Sequence, residues 1–301
     1  MHHPLANENP LIYWPFNEQP PDHRVRIFGL DFSRVDLDEG GELFVTEDGW
    51  ERLPAILPEH WFLNERYVRD GVKLAGGTGM VYGLDAPIVN KPNLRLVVKF
   101  ARTVQDVPLF VAGDDCINVS NEDIANARWN SPFEEFGLLH ELRTSRYGPS
   151  GLGIRTKRPL AIYCPPTDFP EWKLGRGHRL WTEMEKDLQH EQFLTEGEPV
   201  HLHETRLYVM LFEWVVGTNA EDCHSEGLIS DQEMYDLTKR VVGELKSKGF
   251  HVLDNKPKHF ILRKRKDGTL LRRNGELVYA LIDFELLKRT PEYHQWLVDH
   301  R

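Results

Sequence analysis

Cysteine is scarce in this chain. Three occur in 301 residues, Cys116, Cys164 and Cys223, so widely separated that neither a disulfide framework nor a paired-cysteine metal knuckle can be built from them. A reduced, cytoplasmic setting is expected. Basic residues are in deficit as well: 37 Lys and Arg against 47 Asp and Glu give a formal net charge of −10. Such a balance argues against a sequence-independent grip on nucleic acid, which needs positive surface facing phosphates. Long apolar runs are missing too. The stretch 207–216 falls far short of the roughly 20 residues a bilayer span needs, so no membrane partner is expected, and the start Met1-His2-His3-Pro4 does not read as a signal peptide. Aromatics, by contrast, are plentiful. With 8 Trp, 9 Tyr and 15 Phe, the chain has enough core-forming side chains for one large domain or two modest lobes, and disorder is excluded as its overall state.

The proline-bearing stretch 1–24 reads as an extended arm, and 24–64 as a small β-rich subregion. A strand–turn–strand signal follows, with Val72-Lys73-Leu74 and Met80–Leu84 flanking Ala75-Gly76-Gly77-Thr78-Gly79. The run 94–100 (LRLVVKF) has the β-branched and aromatic content of another strand. Residues 131–143 predict a helix with Phe133, Phe136, Leu138, Leu139 and Leu142 on its apolar face. Further strands are expected within 153–163 and 206–214, and a helix over 178–194. Ser230-Asp231-Gln232-Glu233 looks like a capping box opening a helix that runs to Lys248, with Gly249 as its C-cap. A loop (251–259), a strand (260–263), a basic hairpin tip and a strand (277–283) come next, then a helix over 291–299.

Four pieces carry chemistry. Gly76-Gly77-Thr78-Gly79 is a backbone-rich turn able to approach an anion closely. It is not a Walker loop, because no Gly-Lys-Ser/Thr follows, and the strand after it excludes a dinucleotide fingerprint. Lys99 is a charge among apolar strand residues, which needs a partner. In 254–259 (DNKPKH) an aspartate precedes a lysine–proline pair and a histidine. Asp283 ends the apolar strand that precedes Phe284-Glu285, a place where metal-holding carboxylates sit. His201-Leu202-His203 is a candidate metal pair or a hairpin edge, Cys223-His224 reads as a loop, and the run 263–266 (RKRK) with Arg272-Arg273 is a basic cluster on an acidic chain.

The order of these pieces resembles the protein-kinase-like superfamily. Gly77-Thr78-Gly79 is similar to its glycine-rich loop, and Val97-Val98-Lys99 to the strand that presents its lysine. The run 207–217 resembles the strand and hinge that bind adenine. Asp254-Asn255-Lys256-Pro257-Lys258-His259 resembles the catalytic loop, and Ile282-Asp283-Phe284-Glu285 the metal-binding Asp-Phe-Gly. The last motif is also similar to that of choline-kinase-like and aminoglycoside-phosphotransferase-like enzymes. The resemblance implies an α+β, bilobal fold with an enlarged N-lobe and a minimal C-lobe, since the stretch after Glu285 has no room for an activation segment or helical substrate platform. The implied boundaries are an arm and β-rich extension over 1–66, an N-lobe over 67–217 with insertions at about 102–132 and 143–205, and a reduced C-lobe over 218–301.

The resemblance also implies roles. The amides of Gly76, Gly77 and Gly79 would cover the phosphates of ATP, with Lys99 on the α/β-phosphates. Glu135 would orient Lys99, with Glu134, Glu141 and Glu185 as alternatives. Backbone at Glu213–Val215 would receive adenine. Asp254 would accept the proton of the acceptor hydroxyl, while Lys256 would steady the phosphoryl charge. Asp283 would hold Mg²⁺. His259 stands where the family has a metal-binding asparagine, which favours Mn²⁺ as the alternative cation. Val252 and Leu253 replace the family's histidine and arginine ahead of Asp254. The expected function is ATP-dependent phosphoryl transfer to a hydroxyl on a small molecule or protein. The alternatives are a nucleotide-binding pseudokinase serving as an interaction module, and adenylyl transfer.

Overall fold

A computed structural model describes residues 14–74, 79–87, 93–107, 125–199 and 201–300. The chain forms two compact units. The first gathers 1–101, 158–174 and 195–214, and the second 102–157, 175–194 and 215–301. The final passage from one to the other, at Trp214–Val215, falls inside the run read as a hinge.

The first unit is built on one eight-stranded antiparallel sheet. Its strands are β1 (Arg24–Ile27), β2 (Leu30–Asp36), β3 (Glu42–Val45), β4 (Val72–Lys73), β5 (Val81–Ala86), β6 (Leu94–Phe100), β7 (Pro159–Cys164) and β8 (Val209–Glu213), in the spatial order β1-β2-β3-β7-β8-β6-β5-β4. The N-terminal strands extend this sheet, because β3 pairs with β7 in the register Leu43↔Tyr163. Val45, Leu96, Val98, Leu160 and Leu211 supply an apolar layer beneath which Trp61 is wholly buried. Its indole N–H donates to the Ile56 carbonyl at 2.8 Å, so the largest side chain of the core leaves no polar atom unpaired. The stretch after β3 is not β-rich. It folds into short helical turns, the first opened by Thr46, whose hydroxyl accepts from the Gly49 amide at 3.1 Å.

The second unit carries the longer helices: α1 (Pro132–Thr144), α2 (His178–Phe193), α3 (Ala220–Ser225), α4 (Asp231–Ser247) and α5 (Pro291–Asp299). Both α1 and α4 start with complete capping boxes, Ser131/Glu134 and Ser230/Glu233. The residues around Cys223-His224, expected as a loop, are helical, because the Asn219 side chain caps α3 by accepting from the Asp222 amide. His201 and His203 lie outside any strand, and the His203 amide donates to the Tyr208 hydroxyl. Among the described residues no helix is long and apolar enough to cross a membrane.

Among the described residues this unit also holds three small sheets. A three-stranded sheet runs β14-β11-β9, from β9 (Thr218–Asn219), β11 (Phe260–Leu262) and β14 (Tyr279–Leu281). A second pairs β10 (Phe250–Val252) with β15 (Leu287–Arg289), and a third pairs β12 (Arg272–Arg273) with β13 (Glu276–Leu277).

Candidate catalytic and metal-binding loops

The loop bearing Asp254 is set by what precedes it. Helix α4 buries Leu237, Val241 and Leu245 and ends at Ser247, and Gly249 just beyond its C-cap, with a φ of +81°, reverses the chain into β10. A Cβ at that position would lie 2.6 Å from Tyr293, so glycine is required on two counts. Strand β10 pairs with β15 in the register Val252↔Leu287, and the Leu253 amide donates to the Leu286 carbonyl at 3.2 Å. Pro257 then starts a single 3₁₀ turn that ends at His259, immediately before β11. Strand β11 pairs with β14 in the register Phe260↔Leu281, and the Ile282 amide donates to the His259 carbonyl at 3.2 Å. The two ladders therefore bring the 254–259 loop beside Asp283.

The side chains close a circuit. His259 is buried, and its Nδ1 lies 3.0 Å from the Asp254 carbonyl oxygen. A carbonyl only accepts, so Nδ1 carries the proton and the lone pair of the neutral ring falls on Nε2. That Nε2 stands 3.5 Å from Asp283 Oδ2. Lys256 Nζ is 2.6 Å from Asp254 Oδ1. The Asp254 and Asp283 carboxylates keep 29% and 33% of their exposure, enough for a ligand to reach them.

An imidazole lone pair and a carboxylate oxygen at this separation suit one divalent cation, each at about 2.1 Å. Among the described residues no group of three or more His, Cys, Asp or Glu side chains is placed to hold a metal ion. Two protein ligands are what a nucleotide-borne cation uses, with phosphate and water completing the shell. Tyr279, on β14, has its phenol pushed well above its ordinary pKa by burial and then by its bond to the Glu244 carboxylate. It stays neutral and ties β14 to α4.

The first unit carries Gly79, Lys99 and Glu213, while Val215 and the candidate acids for Lys99 belong to the second. Lys99 is 5% exposed in β6, with Val81 of β5 and Met210 of β8 as its cross-strand partners. Gly79 forms the bend before β5, while Gly76 and Gly77 lie outside the described residues. The strands flanking the glycine turn, the lysine strand and the hinge strand are thus consecutive neighbours in one sheet. At the end of β8 the Glu213 amide donates to the Arg158 carbonyl at 3.0 Å, and its carboxylate lies 3.4 Å from Arg52. Arg95 stacks 3.9 Å over the Trp214 ring, and Val215 is half-buried.

The four candidate acids for Lys99 differ in their surroundings. Glu135 is fully buried and accepts from Lys157 Nζ at 2.8 Å. Glu134 closes the α1 capping box and receives both terminal nitrogens of Arg128, at 2.7 and 2.8 Å. Glu141 is engaged by Arg289 and Glu185 is exposed. No sequence signal pointed to Lys157, which lies 22 positions from Glu135. The basic cluster stands exposed at residues 263–266 and 272–273, with Lys264 paired to Glu226 and Arg272 to Glu233.

No protein-family model and no curated protein sequence matches the chain. Among solved structures it is similar to WbdD in a co-crystal with the kinase inhibitor LY294002, at 14% identity and a TM-score of 0.30, over 72% of this chain and 32% of that one. A second match is to the bifunctional kinase-methyltransferase WbdD, also at 14% and 0.30, over 93% and 39%. A third is to the Rio2 kinase–ADP/Mg²⁺–phosphoaspartate complex from Chaetomium thermophilum, at 10% and 0.35, over 89% and 62%. The chain thus spans 32 to 62% of the length of these proteins.

Proposed function

We propose that the chain is an atypical, kinase-like phosphotransferase that moves the γ-phosphoryl group of ATP to a hydroxyl acceptor. The observation that carries this reading is the circuit in the second unit: Lys256 on Asp254, the Asp254 carbonyl on His259 Nδ1, and His259 Nε2 facing Asp283. It is supported by the five motifs that precede and include these residues in kinase order. It is supported too by a lysine, Lys99, sunk in the middle of a sheet beside the strand that follows the glycine turn.

In this reading the amides of the glycine turn and Lys99 take the phosphates, and backbone at Glu213–Val215 takes adenine. Asp254 accepts the hydroxyl proton as the new O–P bond forms and the bond to the β-phosphate oxygen breaks, releasing ADP. The Lys256 ammonium, 2.6 Å from Asp254, orients that carboxylate and stands near the charge spreading over the phosphoryl oxygens. Asp283 and His259 would hold a divalent cation, which would supply charge neutralisation to the transferring phosphate. A borderline nitrogen ligand makes Mn²⁺ the better-suited cation, and Mg²⁺ the second.

The test is phosphate release or label transfer from [γ-³²P]ATP, with Mn²⁺ or Mg²⁺, by the unaltered protein and by Asp254→Ala and Asp283→Ala. Loss of turnover in both variants supports the proposal, and His259→Asn is expected to move the preference toward Mg²⁺. Equal turnover in all forms refutes it. ATP binding without any turnover identifies the pseudokinase instead, and added adenylate in the product identifies adenylyl transfer.

A further inference from the structure

Between the end of β14 at Leu281 and the start of β15 at Leu287, the chain runs through buried ground without a strand ladder. Phe284 and Leu287 are wholly buried, and Glu285 and Leu286 nearly so. Backbone polar groups in such a stretch need partners from elsewhere. On the upstream side the Ile282 amide is held by the His259 carbonyl. On the downstream side three carbonyls end on one residue. The Asn130 side-chain amide donates to the Phe284 carbonyl at 3.1 Å and to the Leu287 carbonyl at 2.9 Å, and its backbone amide donates to the Glu285 carbonyl at 2.8 Å.

Asn130 is itself fixed on both sides. Ser131, the next residue, is the N-cap of α1 and shares its capping box with Glu134, which Arg128 holds through two nitrogens. Trp129, the residue before, packs with Leu253 and Leu286, and its indole N–H donates to the Asp106 carbonyl at 3.2 Å. The Arg102 guanidinium stacks 3.5 Å over the Trp129 ring and pairs with the Glu285 carboxylate. Arg102, Asp106, Trp129 and Asn130 thus form a buckle around the segment that follows Asp283. The choice of asparagine is chemical. Its NH₂ group presents two donors in one plane, whereas an aspartate of the same shape offers none to a carbonyl.

We infer that Asn130 is a positioning residue for Asp283, acting through the main chain of residues 284–287. The inference rests on the proposed role of Asp283 as a metal-binding carboxylate. The β11–β14 ladder fixes the chain up to Ile282 and Asn130 fixes it from Phe284 onward, so Asp283 has anchored neighbours on both sides. Removing the Asn130 amide takes a donor from the buried Leu287 and Phe284 carbonyls, the latter keeping the Leu287 amide at 3.1 Å, and frees the downstream anchor, so the carboxylate loses its aim at the position facing His259 Nε2.

The experiment is Mn²⁺ titration followed by electron paramagnetic resonance, in the presence of a non-hydrolysable ATP analogue. It compares the unaltered protein with Asn130→Ala, and with Leu245→Ala in the core of α4 as a comparator for lost stability. Removing a partner that orients a ligand typically weakens metal affinity by about 10–100-fold, and a rise of that size in the Mn²⁺ Kd is expected for Asn130→Ala. Leu245→Ala, which loses stability by opening a cavity, is expected to keep the unaltered Kd. Should Asn130→Ala fail to fold, Arg102→Gln, which releases Glu285 from the same buckle, takes its place with the same expectation. An unchanged Kd in the folded buckle variant, or an equal rise in Leu245→Ala, overturns the inference while leaving the proposed function standing. Failure of the unaltered protein to bind Mn²⁺ with the analogue overturns both.

Discussion

Replacing Arg289 by methionine removes a buried charge and keeps an unbranched stem of similar reach. The Arg289 side chain has no exposed surface, and it lies on β15, the strand laced to the one that leads into Asp254. Its Nη2 is 2.6 Å from Glu141 Oε2 on α1, its Nη1 is 2.7 Å from Glu191 Oε2 on α2, and its Nε reaches both Glu141 oxygens at 3.0 and 3.1 Å. Burial works against the guanidinium charge, but the Glu141 and Glu191 carboxylates outweigh it and raise the pKa. With charge centres about 4 Å apart and an effective dielectric near 20, each carboxylate attracts the guanidinium by about 4 kcal/mol. Desolvating the three ions costs several kcal/mol each, so the intact cluster nets little. The variant is different. It keeps two carboxylates that are only 16% and 21% exposed, loses the cation between them and adds their mutual repulsion. Unfolding free energy is expected to fall by about 3–5 kcal/mol. Urea titration followed by hydrogen exchange at the β10–β15 amides measures it in the unit concerned. A triple variant with Glu141→Met and Glu191→Met added is expected to recover most of the loss, since apolar replacement of a whole buried cluster is close to neutral. A loss of no more than about 1 kcal/mol in Arg289→Met, the range of an exposed pair, would refute the reasoning.

His294, beside the same cluster, makes stability depend on pH. Burial first, then the charges of Arg289 and His190, lower its pKa below the ordinary 6.5, while Glu191 at 3.4 Å and Glu141 oppose them. The unfolded chain therefore takes up this proton at a higher pH than the folded one. This contribution to stability is complete above about 6.5 and declines as pH falls below it. Urea midpoints measured through that window should slope downward with acid, and His294→Gln should flatten the slope; an identical slope in the variant rules the assignment out. Two glycines of one region should respond in opposite ways to alanine. Gly249→Ala combines a left-handed φ of +81° with a Cβ 2.6 Å from Tyr293, and is expected to cost about 2–5 kcal/mol. Gly243→Ala, in the exposed face of α4 with nothing within 4 Å of the new Cβ, should stabilise by up to about 1 kcal/mol. Thermal midpoints that move the same way in both would contradict the argument.

What was legible in the sequence followed the range of the interactions involved. Helices α4 and α5 were readable because their signals are local: a capping box and an αL glycine bound α4, and Pro291 stands at the first position of α5. The strands flanking the glycine turn and the Lys99 strand were readable from alternation and β-branched content. The placement of β3 against β7 was not, because its register joins residues more than a hundred positions apart and each strand alone reads only as a short apolar run. The helical turns after Val45 went unseen for a related reason. Their cap, Thr46, also donates to the Pro159 carbonyl, so a distant strand helps to fix it.

The site divides along the same line. Asp254, Lys256, His259 and Asp283 lie on two short loops, and the motif resemblance singled them out as candidates. What it did not expose is how the loops are held. Asn130 lies more than 150 positions from the carbonyls it binds, and Lys157 reaches Glu135 from beyond the helix that carries it. The Ser131-Glu134 capping box was a visible sign that α1 begins at a defined place, and it marks Asn130 as the last residue before a rigid element. A buried residue locked to a helix start is well suited to transmit position, because any shift of it breaks the cap and strands its backbone partners together. Lys157 follows the same logic. Its amide donates to the Leu281 carbonyl while its ammonium meets Glu135 and lies 5.7 Å from the Phe284 ring. The acid that motif logic assigned to orienting a lysine in the sheet is thus tied, through Lys157, to the strand that delivers Asp283. The charge of Glu135 is balanced inside the second unit by a cation that contacts the Asp283 segment on both of its sides.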